Sequence, residues 1–111
     1  STSNPDVFLK SAFCYQQLKI YDSSEHYYKV VQDMEPKRLI PQVGLLKLYQ
    51  QKNDTVMVFN KANQILAMPA KINSPKVIEI KNYADSIRRL WRPKSLAPYK
   101  NKNIDTLNST K

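Results

Sequence analysis

Few residues in this 111-residue chain are equipped for covalent or acid–base chemistry. There is one cysteine, Cys14, and one histidine, His26. A thiol and an imidazole act as nucleophile and base when a fold brings them together. Here the two fall on adjacent helical segments with no surrounding signature. Cys14 therefore reads as a small buried thiol and His26 as a surface or capping imidazole. A single cysteine excludes an internal disulfide and any zinc site made of several thiolates, and a single histidine cannot build an imidazole cage. The carboxylates of Asp33 and Glu35, or of Glu79 and Asp85, are not spaced as a cooperating pair on one helical face. Gly44 is the only glycine, which removes the phosphate-cradling loop and the dinucleotide fingerprint, since each needs several. No catalysis, no cofactor and no metal are expected of this chain.

Charge is the stronger signal. Eighteen Lys and Arg against nine Asp and Glu leave a net +9. Such a surface attracts nucleic acid, anionic lipid or acidic partners. Fourteen basic and eight acidic residues lie in 1–92, with four and one in 93–111. Lys81, Arg88, Arg89 and Arg92 form the densest patch, with Trp91 beside them. Near an anionic headgroup layer each Lys or Arg adds about 1 kcal/mol, so an anionic membrane surface is one expected partner. Nucleic acid ranks below it, because no nucleic-acid-binding motif is visible and Trp91 continues an apolar stripe.

The elements that must position these groups read as helices. Hydrophobic residues make up 41% of the chain, enough for a modest core, and one glycine is too few for a hairpin-rich fold. Asn4 or Ser3 as a cap and Pro5 in the first turn start a helix running from Asp6 to about Tyr21, with Phe8, Ala12 and Tyr15 on its stripe and Leu9, Phe13 and Leu18 widening it. Asp22, Ser23 and Ser24 offer a new cap, and Tyr27, Tyr28, Val31 and Met34 carry a second helix to Glu35, where Pro36 stops it. A third spans Pro41 to Lys52 with Leu45, Leu46, Leu48 and Tyr49. A fourth runs from about Thr55 to Ala67 with Val58, Phe59, Ala62, Ile65 and Leu66, capped by Asp54 or Thr55. Ser74 and Pro75 open a fifth, to about Trp91, whose stripe is Val77, Ile80, Ala84, Ile87 and Trp91. Residues 94–111 lack a period and read as a mobile tail, giving a helical domain at 1–92 and a basic tail at 93–111. No apolar run is long enough to span a membrane, and the start lacks the order of a signal peptide.

Tyr15 and Tyr49 stand 34 residues apart, the period of the tetratricopeptide helix–turn–helix unit. In a first frame Phe8, Ala12 and Tyr15 take the aromatic, small and large sites of one helix. Ser24 falls where two helices approach closely, Tyr28 and Val31 take apolar sites, and Pro36 closes the unit. A second frame, about 39–72, places Leu45, Tyr49, Asn53, Asp54, Ala62 and Ile65 on pattern sites, with Pro69 one residue early and Leu46 where a small residue is usual. The predicted fold is all-α: an antiparallel helix-pair stack of two degenerate tetratricopeptide repeats, closed by a C-terminal helix that is apolar on one side and basic on the other.

A narrower likeness lies around residues 38–77. Arg38-Leu39-Ile40-Pro41, Leu45-Leu46-Lys47-Leu48-Tyr49 and Asn53-Asp54 are followed by Met68-Pro69-Ala70-Lys71-Ile72-Asn73-Ser74-Pro75-Lys76-Val77. Together they resemble the C-terminal tetratricopeptide-like region of the O-antigen ligase and polymerase family of membrane proteins from Bacteroides-like bacteria. That region reads roughly R-F-x-P-x-x-x-L-M-x-L-Y-x-x-x-x-D, then P-V-K-I-x-S. Leu39 replaces the aromatic and Ala70 the valine. The motifs are structural, so no catalytic position carries over. The resemblance implies a parent that joins or transfers lipid-linked polysaccharide in a membrane-embedded part, with this chain as its soluble appendage. Excess Lys and Arg and an unpaired thiol lean toward the cytoplasmic side.

Stacked helix pairs present a groove that holds an extended peptide or partner helix. The exposed, off-stripe residues Lys10, Gln17, Gln42, Lys47 and Gln50 are the expected groove residues, and a protein or peptide the expected occupant.

Overall fold

The computed structural model describes residues 4–69 and 74–93. The tail expected at 93–111 lies, beyond Pro93, outside these residues. Five helices follow in order: α1 Pro5–Gln17, α2 Tyr21–Met34, α3 Leu39–Gln51, α4 Thr55–Ala67 and α5 Pro75–Leu90. There is no strand among the described residues. Consecutive helices pack on one another, and α1 also touches α3. Links as short as 18–20 and 52–54 make the next helix in the chain the main neighbour of each.

Side chains start three of the helices where the sequence placed caps. Asn4 accepts from the Asp6 N–H at 2.9 Å, Asp54 from Met57 at 3.2 Å and Ser74 from Val77 at 3.2 Å. Each satisfies one of the amides that a helix start leaves without a partner. The start of α2 differs from expectation. It begins at Tyr21 with no side-chain cap, and Ser24 sits inside the helix, fully buried. Its hydroxyl donates to the Ala12 carbonyl at 2.7 Å. Ser24 thus serves as the small residue at the α1–α2 crossing rather than as a cap.

The helix pairs recur in register. α3 starts and ends 34 residues after α1, and α4 starts 34 residues after α2. The link between paired helices recurs too. α1 stops at Gln17, four residues short of the expected end, because Lys19 turns to φ 64°. Ile20 then donates its N–H to the Tyr15 carbonyl and Lys19 to Gln16. At α3 the same left-handed turn falls on Asn53, φ 57°, with Asp54 donating to Tyr49 and Asn53 to Gln50. Both are Schellman closures, made without glycine.

The core runs along the stack. Ala12 and Ser24 are both fully buried, as are the residues 34 further on, Leu46 and Val58. Val31, Leu45, Leu48, Tyr49, Ala62 and Ile65 continue it, and Ile80, Ala84 and Ile87 dock α5. Burying each large aliphatic side chain stabilises by about 1.5–3 kcal/mol. Phe13 and Leu18, expected to widen the α1 stripe, are instead 56% and 66% exposed. Gln16 takes the buried place, because its amide is bonded at one end to Tyr28 and at the other to Gln51. On the outer side of the first pair, Tyr27 stacks between Tyr15 and Phe8, with centroids 5.7 and 6.0 Å away.

Candidate functional site

One face of the stack is made by alternate helices, α1, α3 and α5. Between them lies a depression of about 520 Å³ floored by Leu9, Phe13, Ile40, Val43 and Ile80. α2 contributes one side chain, Tyr28, whose ring crosses to this face over Gly44. A Cβ at Gly44 would overlap that ring and lie 2.8 Å from its hydroxyl. The single glycine is therefore explained by close approach and not by a positive φ. The Tyr28 hydroxyl donates to Gln16 Oε1 at 2.6 Å, and Gln16 Nε2 donates to Gln51 Oε1 at 2.9 Å. Burial holds the Tyr28 phenol above its usual pKa. The chain of bonds from α2 through α1 to α3 fixes the floor of the groove.

A second, smaller depression of about 360 Å³ shares Phe13, Gln16 and Lys47 with the first. Its other walls are Gln17, Gln50, Gln51 and Tyr83. Gln50 Nε2 donates to the Tyr83 hydroxyl at 3.0 Å, and the Lys47 ammonium lies 5.7 Å from the Tyr83 ring centroid. Of the expected groove residues, Lys10 and Lys47 line the larger depression, and Gln17, Lys47 and Gln50 the smaller. Gln42 does not belong to the groove. It is buried, and its amide oxygen accepts from Lys61 Nζ at 2.8 Å.

Lys61 was not signalled by the sequence at all. Its ammonium lies beneath the surface among the oxygens of Gln42, Gln64 (2.8 Å) and Gln32 (3.5 Å). Burial, aided by the nearby Lys29 charge, lowers its pKa to about 8. A second polar cluster ties α2 to α3. The Tyr49 hydroxyl donates to Glu25 at 2.8 Å, with Lys29 at 3.1 Å and Lys52 at 3.7 Å. Partial burial would raise the Glu25 pKa. The Tyr49 bond and the two ammonium groups outweigh it and hold the carboxyl below its usual range. Both clusters have their partners in hand and lie off the groove.

No protein-family model, curated protein or solved structure matches the chain.

The cysteine expected to be buried is exposed, on the groove face of α1. Positions i and i+4 share a face, so Cys14 follows Lys10 there. His26 is exposed and meets the Tyr27 ring edge-on at 5.0 Å. No group of three or more His, Cys, Asp or Glu able to hold a metal occurs among the described residues.

The cations of the expected basic patch are engaged within the fold. Lys81 donates to the Leu66 carbonyl at 3.2 Å and to that of Met68, closing the C-terminus of α4. Arg88 pairs with Asp85 at 2.9 Å, and Arg89 pairs with the same carboxylate. The Arg92 guanidinium lies 5.9 Å from the Phe59 ring centroid. The Lys81 and Arg92 contacts reach α4 and its C-terminal end, whereas the Asp85 pairs lie within α5.

Proposed function

We propose that the chain is a non-catalytic interaction module. Two tetratricopeptide-like helix pairs and a capping helix hold a segment of another protein in the groove formed by α1, α3 and α5. The observation that carries this is the exposed apolar floor. Phe13 is 56% and Ile40 42% exposed, both lining one concavity, while Leu45, Leu46 and Leu48 are fully buried. Exposed apolar surface gathered in a concavity marks binding sites. The 34-residue recurrence of helix ends and turn bonds supports the repeat assignment, and the resemblance at 38–77 supports the parent. On that reading the module is an extramembrane part of a bacterial inner-membrane protein that ligates or polymerises O-antigen or another surface polysaccharide. No helix among the described residues is long and apolar enough to cross a membrane.

Selection of random peptides displayed on phage, against the chain, tests the groove. Binders should lose affinity when Cys14, the only thiol, carries a bulky maleimide. Binders indifferent to that block would place recognition elsewhere and refute the assignment.

A further inference from the structure

The groove has a charge pattern as well as an apolar floor. Lys10, Lys47 and Lys76 stand around it on three different helices, and no carboxylate lines either depression. Their charges are little used within the fold. Among the described residues Lys10 has no ion pair, and Lys47 meets only the face of Tyr83. Lys76 reaches Glu79 at 3.8 Å, in a pair whose two side chains are 67% and 72% exposed. A pair so exposed contributes little and yields easily to a better partner. The other cations of α5, Lys81, Arg88 and Arg89, are tied to backbone carbonyls or to Asp85, so Lys76 is the charge that α5 offers to a partner.

We propose that the occupant is an acidic, apolar protein segment: large hydrophobic side chains for the floor, with Asp or Glu between them for the three lysines. This inference rests on the groove reading above and adds the chemistry of the partner. Because the lysines stand on separate helices, they favour several carboxylates spread along an internal stretch over one charge at a chain end. Charge complementarity also disfavours the nearest competitors. A second copy of the chain brings net +9, and its own residues 93–111 carry four lysines and one aspartate. Like charges across an interface suppress the wrong partner, and opposite ones speed encounter.

The test uses the full chain and three synthetic 12-residue peptides, followed by fluorescence anisotropy at low and moderate salt. One alternates Leu or Phe with Asp or Glu, one replaces the acids by Lys, and one replaces the apolar residues of the first by Ser. The first should bind best, weaken with salt and lose affinity when Cys14 is blocked. Reversal of all three lysines (Lys10→Glu, Lys47→Glu, Lys76→Glu) should cost it at least about tenfold and shift preference to the lysine peptide. Far-UV circular dichroism of the variant separates lost binding from lost folding. Equal binding of the Ser peptide overturns the proposal, as adhesion by charge alone. Binding of the lysine peptide at a Cys14-sensitive site overturns the partner chemistry and leaves the groove standing. If only vesicles containing phosphatidylserine protect Cys14, the occupant is lipid and the proposal fails. If nothing protects Cys14, the groove reading fails with it.

Discussion

Gly44→Ala isolates one structural claim. In an exposed helix interior, replacing Gly by Ala stabilises by about 1 kcal/mol, because Ala loses less backbone freedom. At position 44 the new methyl would meet the Tyr28 ring, whose hydroxyl alone stands 2.8 Å from the Cβ site. Unstrained contact between heavy atoms needs about 3.5 Å. The ring is only 4% exposed and bonded to Gln16, so it cannot swing away freely. Displacing it introduces overpacking of about 1–3 kcal/mol. It also strips the Tyr28–Gln16 bond, worth about 1 kcal/mol. Set against the helix gain, the net effect is a loss of about 2 kcal/mol, a fall in Tm of about 10 °C for a domain of this size. Urea unfolding followed by circular dichroism measures it. The decisive comparison is the same substitution in a Tyr28→Ala background, where the methyl finds open space and should stabilise. A gain from Gly44→Ala in the native background, or the same effect in both, would refute the reasoning.

Other perturbations give further checks. Lys61 has a folded pKa of about 8, below its unfolded value, so the buried charge costs stability fully below pH 8. That cost declines as pH rises from about 8 to 10.5, by no more than about 3 kcal/mol. Stability relative to a Lys61→Met variant should therefore climb across that window in paired urea titrations, and parallel profiles would count against the buried ammonium. Lys19→Gly should stabilise by about 1 kcal/mol, since a left-handed residue other than Gly is strained. Asn53→Gly should gain less, because Asn tolerates that conformation, and a lower urea midpoint for Lys19→Gly would contradict the turn. Glu25→Gln should lose about 1 kcal/mol at pH 7. Because the folded Glu25 pKa lies below its unfolded value, that deficit should shrink as pH falls through the acid range, and a deficit constant down to pH 3 would assign it to packing.

Much of the scaffold was legible because its signals are local. Asp54, Ser74 and Pro75 mark helix starts by chemistry that neighbouring backbone amides decide, and α4 spans Thr55–Ala67 as its stripe predicts. Lys10, Gln17, Lys47 and Gln50 emerged as surface residues of alternate helices from periodicity alone. Gln42 did not, because its burial depends on Lys61, a charge 19 residues away that enters the interior only once α2, α3 and α4 supply amide oxygens. The role of Gly44 is hidden for the same reason: its partner, Tyr28, sits on another helix. Cys14 has the residue type of a core thiol, whereas its turn of α1 faces the groove. The basic face of α5 carries less free charge than its cations alone suggest. Asp85 lies three and four residues before Arg88 and Arg89, a spacing at which helical side chains meet.

The helices also pack in the order in which they are strung. The hydrogen bonds that join one helix to another span 12 residues, from Ser24 to Ala12, up to 35, from Gln16 to Gln51. Short loops close at small entropic cost, so a chain built this way should cross its folding barrier within microseconds to milliseconds. Nearest-neighbour coupling also lets a stack fray from its ends. α5 is held chiefly by α4, through three buried side chains and the Lys81 contacts to carbonyls. In native-state hydrogen exchange its amides should open first among the helices from α3 onward, at a free energy below that of global unfolding. Ile80 and Lys76 would leave the groove with it, so the affinity of the face for its partner would be set partly by how long the last helix stays docked.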